Sequence, residues 1–108
     1  ATPGTDAVVN IGILHPACCG FIGNGSRPEG LLKLRQQVGN GKMIWTPGVN
    51  LNSEEGSLGQ RYGNPEDAVL SGSDAIIVGS GIHNNENPKE IAIKYAEISW
   101  NALLKRDV

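Results

Sequence analysis

Apolar and polar positions fall in repeating blocks along the chain, and the last third shows the pattern best. The stretch "DAIIVG" (74–79) is a short apolar run rich in β-branched residues and flanked by Gly and Ser, which predicts a strand buried on both faces. A helix is expected after it. Asn87, Pro88 and Glu90 supply an N-cap, a proline at the first helical position and an early acid, while Ile91, Tyr95, Ile98 and Ala102 recur at helical spacing up to Lys105 and Arg106. The same order occurs one unit earlier: "KMIW" (42–45) reads as a strand, and Asn64, Pro65 and Asp67 open a short helix that ends near Leu70.

A third unit precedes these two. "CCGFIG" (18–23) reads as a strand, and Ser26 with Glu29 forms a capping-box pattern before "LLKLRQQV", although Gly30 weakens that helix. The opening "TDAVVNIGILH" suits either element: Val8, Ile11 and Leu14 fit a helix face, whereas the β-branched content and Gly12 fit a strand. Alternating strands and helices with buried strands imply an α/β fold with a parallel sheet and helices outside it. Three strands cannot close on themselves. A (β/α)8 barrel takes about 250 residues, so the 108 residues here are expected to form a single partial domain with two open parallel edges.

Composition narrows the function classes. The hydrophobic share is 39% and the charged share 19%, and no apolar run approaches the length of a membrane span. Nine Lys and Arg against eleven Asp and Glu leave a formal charge of −2 without a basic stripe, which argues against nucleic acid as a partner. Cys18 and Cys19 are adjacent, so a bridge between them is implausible and they lack the spacing of a zinc site. They are expected to be small, buried strand residues in a reducing compartment. The first residues show neither the basic nor the apolar region of a signal peptide.

Two Gly-rich stretches carry candidate chemistry. "WTPGVNLNSEEGSLGQRYG" (45–63) holds four of the 15 glycines, and polar loops of this length in compact domains are commonly binding loops. Gln60, Arg61 and Tyr62 add hydrogen-bond donors to it. "VGSGIH" (78–83) follows the last strand, where glycines let backbone N–H groups face an anion. In parallel α/β folds ligands gather at such strand ends. On composition alone, a solvated loop and a tight turn, respectively, are the simpler readings of the same residues. Trp45 and Trp100 lie within apolar elements and are expected in core or helix-to-barrel packing.

At this point "TPGVNLNSEEGSLGQRYGNPEDAVLSGSDAIIVGSGI" (46–82) resembles the C-terminal signature of the orotidine 5′-phosphate decarboxylase family, which runs Thr-Pro-Gly-Val, a variable stretch, Gly-Gln-Gln-Tyr and then Gly-Ser-Asp-Ile-Ile-Ile-Val-Gly-Arg-Gly. "CCGFIG" is similar to that family's sixth strand and "YAEISWNALL" to its last helix, whereas residues 24–42 match poorly. The resemblance implies the C-terminal part of a (β/α)8 barrel of an enzyme that converts orotidine monophosphate to uridine monophosphate and CO2, without metal or cofactor, in pyrimidine synthesis in the cytoplasm. It implies that Gln60 and Tyr62 contact the nucleotide phosphate, that Pro47 lies beside the pyrimidine and that Gly79 offers a backbone N–H to the phosphate.

Two departures from the family pattern matter. Ser80 stands where the family has a phosphate-gripping arginine, and loss of such a charge-assisted bond is worth roughly ten- to hundredfold in binding. Serine retains one hydroxyl donor; Arg61 and His83 offer positive charge nearby but read as ordinary surface residues. The second departure is the catalytic centre. The family's Asp-x-Lys-x-x-Asp arrangement has no counterpart among the five lysines and four aspartates, so no catalytic residue is assigned. The expectation is therefore a phosphate- and nucleotide-binding part of the barrel, completed by the remainder of the barrel or by a homo-oligomer. The alternative is a non-catalytic truncated relative that binds nucleotide weakly or only oligomerises. An unrelated flavodoxin-like phosphate binder would need additional strands.

Overall fold

The computed structural model describes residues 3–51 and 63–106. Along the chain run α1 (Pro3–Leu14), β1 (Gly20–Ile22), α2 (Pro28–Val38), β2 (Met43–Thr46), α3 (Pro65–Leu70), β3 (Ala75–Ile76), α4 (Ser80–His83) and α5 (Pro88–Lys105). The strands form one parallel sheet in the order β1-β2-β3. Phe21 pairs with Ile44 and Thr46 with Ile76, while Ile22 pairs with Trp45 and Trp45 with Ala75. The helices α2, α3 and α5 each open on proline at the first turn, where its missing N–H costs no helical bond.

Strand alternation gives the sheet two unlike faces. Phe21, Ile44 and Thr46 are buried, and the core they join contains Val9 of α1, Leu31, Leu34 and Val38 of α2, and Ala68 of α3. Thr46 and Ser73 are fully buried polar residues that satisfy each other: the Thr46 hydroxyl donates to Ser73 Oγ at 2.7 Å, and the Ser73 hydroxyl reaches the Ala75 carbonyl at 3.0 Å. The opposite face is bare. Ile22 is 66% exposed, Trp45 44% and Met43 42%, and Ile77 just beyond β3 is exposed as well.

Several sequence expectations are corrected. β1 and β3 are shorter than read, β2 keeps its expected length one residue further on, and Ala75 and Ile76 are half-buried rather than enclosed on both faces, because helices cover only one side of the sheet. Cys18 is half-buried and Cys19 exposed; both precede β1 instead of lying in it. Trp45 sits on the bare face and Trp100, 60% exposed, on the open side of α5, so neither fills the core. Ser26 does not cap α2, since its N–H and hydroxyl are both taken by Asn24 Oδ1 in a local turn and Arg27 occupies the cap position. Asn64 does cap α3, accepting the Glu66 N–H at 2.8 Å. Asn87 holds the cap position of α5 without a side-chain bond, its own N–H being accepted by Asn85 Oδ1. The ambiguous opening segment is a helix, α1.

Candidate functional site

The ends of the long loop are stitched together at the carboxyl end of the sheet. Val49 and Gly63 form a parallel bridge; Asn50 N–H donates to the Gly63 carbonyl at 2.8 Å and Gly63 N–H to the Gly48 carbonyl at 2.7 Å. The chain thus leaves and returns at one point. Only glycine fits at Gly63, where an added Cβ would lie 1.8 Å from the Gly25 carbonyl oxygen. Gly48 has φ +77°, the left-handed region that other residues rarely enter.

The last helix fixes the same point from outside. Tyr95 is 3% exposed, and its hydroxyl oxygen accepts the Leu51 N–H at 2.9 Å. That oxygen also lies 2.6 Å from where a Cβ on Gly81 would be. The glycine therefore lets α4 approach the phenol closely. The turn after β2 and the turn after β3 are held together by one buried side chain of α5.

Between them opens a cavity of about 550 Å³. Asn50 and Leu51 come from the loop base, Asn64 and Glu66 from the start of α3, and Ser80 and Gly81 from α4. Asn84 and Asn85 close it beyond α4, and Ile91, Lys94 and Ile98 form its α5 wall. Most of the lining residues are polar, and Leu51, Ile91 and Ile98 supply its apolar part. Such a pocket at strand carboxyl ends suits a small ligand with an anionic group and an apolar body. Among the described residues no cluster of His, Cys, Asp or Glu could hold a metal ion.

The residues singled out in the sequence are distributed unevenly around this cavity. Ser80 lines it. Gly79 precedes Ser80 in the turn, and a Cβ on it would meet open space. Pro47 lies half-buried in the turn after β2, its carbonyl accepting the Gly25 N–H at 2.8 Å, and is not part of the lining. Gln60, Arg61 and Tyr62 fall outside the described residues. His83 is exposed at the end of α4. The sequence reading missed Lys94, Asn84 and Asn85, and the sequence signal for Lys94 was present: it lies three residues after Ile91 and four before Ile98, on the same helix face.

Comparison with known proteins places these features in context. The model of the "Orotidine 5'-phosphate decarboxylase / HUMPS family" matches residues 5–95. The orotidine 5'-phosphate decarboxylase of Penicillium nalgiovense is 37% identical over 103 residues, covering 94% of this chain and 37% of that protein. The protein of the same name from Aspergillus oryzae (strain ATCC 42149 / RIB 40) is 47% identical over 64 residues, which is 59% of this chain and 23% of its own. The crystal structure of orotidine 5'-phosphate decarboxylase from Pyrococcus horikoshii OT3 superposes with a TM-score of 0.71 at 29% identity, covering 93% of this chain and 47% of that one. That of orotidine 5'-monophosphate decarboxylase from Sulfolobus solfataricus gives 0.70 at 24% identity, a likeness of fold alone. The chain spans less than half the length of each of these relatives.

Proposed function

Because the chain belongs to the orotidine 5′-phosphate decarboxylase / HUMPS family, we propose that it supplies the phosphate-side rim of a barrel that decarboxylates orotidine monophosphate. Its α/β fold, three parallel strands with flanking helices, is the C-terminal part of a (β/α)8 barrel. In the reaction the carboxylate leaves as CO2 and the vacated pyrimidine carbon takes a proton, giving uridine monophosphate. The Asp and Lys residues for that chemistry are absent from this sequence. The contribution of this chain is binding: holding a remote phosphate so that the pyrimidine is positioned at the reacting groups.

One observation carries this reading. The turns after β2 and β3 share a single cavity at the carboxyl ends of the strands, with Ser80 and Gly81 on one side and Asn50 and Leu51 on the other. The Gly79 amide and the Ser80 hydroxyl face the phosphate in this reading, and Gln60, Tyr62 and Pro47 take the nucleotide contacts that the family resemblance assigns to them. The reading requires no metal or cofactor and places the protein in the cytoplasm; no described helix is long and apolar enough to cross a membrane.

The 108 residues are, in the same proposal, a single partial domain whose bare sheet face meets the remainder of the barrel. Trp45, Met43 and Ile22 are the side chains that further strands would enclose. Beside the open edge of β3, an apolar cavity of about 180 Å³ holds Ser99, whose buried hydroxyl has no partner among the described residues. An unsatisfied buried hydroxyl of this kind is uncommon and fits a position that an adjoining element completes.

Ser80 favours a second reading, a non-catalytic relative that binds nucleotide weakly or only self-associates. Orotidine monophosphate turnover separates the two. Activity that appears when the purified chain is mixed with a protein carrying the preceding barrel strands, and is absent from either alone, supports the proposal. Absence of activity in the mixture, with both parts folded and associated, supports the second reading.

A further inference from the structure

We propose that Lys94 is the counter-charge for the phosphate in the rim cavity, taking over from α5 the charge that Ser80 does not carry. The proposal rests on the reading of the cavity as a nucleotide site and names the residue that gives it a preference for anions. Lys94 is the only cation in the cavity lining among the described residues and sits between Ile91 and Ile98 on the α5 face that forms one wall.

The charges and hydrogen bonds around it favour an anion. Glu66, the one carboxylate in the described lining, is engaged by Lys105 Nζ at 3.1 Å. The other ion pairs among the described residues join Asp74 to Arg35 and Arg106, at the far end of the sheet, so Lys94 has no ion-pair partner among the described residues. Two of the lining amides have their oxygens occupied. Asn64 Oδ1 accepts the Glu66 N–H at 2.8 Å, and Asn85 Oδ1 accepts the Asn87 N–H at 3.0 Å. A backbone N–H can only donate, so these bonds settle which side-chain atom is oxygen and leave each NH2 group to donate. One ammonium, amide N–H groups and the Ser80 hydroxyl together complement a phosphate and offer little to a cation.

Replacing an arginine fork by a lysine changes the manner of binding. An ammonium acts as a compact point charge without bidentate geometry. The phosphate is then held by charge and by several neutral donors, and Lys94, being exposed, contributes a term that salt screens.

The test is a titration of isotopically labelled protein with inorganic phosphate and with uridine monophosphate at low ionic strength, following backbone amide shifts. Wild type, Lys94→Gln and Lys94→Arg are compared, and unchanged Leu34 and Ile44 signals establish that each variant is folded. Phosphate is expected to move Ser80, Gly81 and Asn85 in the wild type. Lys94→Gln is expected to weaken it about three- to tenfold, with Lys94→Arg restoring most of the loss. Equal phosphate affinity in wild type and Lys94→Gln, or no shift at these amides, overturns the inference. Uridine monophosphate binding that survives Lys94→Gln unchanged overturns it too while leaving the nucleotide-site reading intact. Lys94-dependent phosphate binding without any uridine monophosphate binding supports the inference and removes that reading.

Discussion

Arg35 of α2 donates to Asp74 Oδ2 at the entrance to β3, and the pair forms the hub of the amino-terminal end of the sheet. The same carboxylate oxygen accepts the Ile44 N–H at 2.9 Å, and the Asp74 Oδ1 atom faces Arg106 Nη2, after α5, at 3.4 Å. Arg35 also reaches the Gly72 carbonyl through Nε at 3.0 Å and Nη2 at 2.7 Å. Two helices and two strands therefore meet at one ion pair, at the opposite end of the strands from the cavity. Both side chains are well shielded from water. Asp74→Ala leaves two guanidinium groups without their carboxylate partner and a strand N–H without its acceptor, so a loss of about 2–3 kcal/mol is expected, read from the midpoint of urea unfolding. Ligand binding at the rim is expected to survive in the fraction that remains folded.

At the base of the loop, Gly63→Ala pushes a methyl into the Gly25 carbonyl, a backbone atom that cannot rotate away. A loss of about 2 kcal/mol or more is expected, accompanied by faster amide exchange at Asn50 and Gly63. Gly41 is the control. Open space surrounds it and its φ is ordinary, so Gly41→Ala leaves the unfolding midpoint almost unchanged.

Tyr95→Phe removes the acceptor of the Leu51 N–H while keeping the buried ring. A cost of about 1 kcal/mol is expected, together with loss of exchange protection at Leu51. The substitution alters no group that lines the cavity, so weaker ligand binding in this variant reports on the position of the loop base.

The bare sheet face predicts a separation between stability and association. Trp45→Ser changes the stability of the isolated chain by no more than about 0.5–1 kcal/mol, because the indole is already half in water. It is expected to reduce binding of an apolar fluorescent dye and to impair assembly with the remaining strands of a barrel. A large loss of stability in the isolated chain contradicts a face that is open.

Much of this architecture was legible in the sequence because local rules and packing agree there. The Asn64-Pro65 start of α3 combines a capping amide with a proline where no N–H is needed, and the structure uses both. The helical face of α5 was readable from Ile91, Tyr95, Ile98 and Ala102, of which Tyr95 and Ala102 are buried. The failures share a physical cause. The apolar runs around Trp45, Trp100 and Ile77 predict burial, yet a run reports that an element is built to be covered, not that its cover is present in the same chain. Ser26 and Glu29 matched a capping box, but Asn24 competes for the serine through a shorter turn. At the site, Ser80 is visible through a motif, whereas the sequence shows Lys94 only as a position on the α5 face of Ile91 and Ile98, and it is the packing of α5 against α3 and α4 that brings that face to the cavity.

A phosphate site at the rim is tested by calorimetric titration of the chain with uridine monophosphate and, in parallel, with uridine. The nucleotide is expected to bind at least about tenfold more tightly than the nucleoside, with Ser80→Ala and added salt each narrowing the difference. Equal affinities for the two ligands, or no binding of either to the folded chain, contradict a phosphate site at the rim.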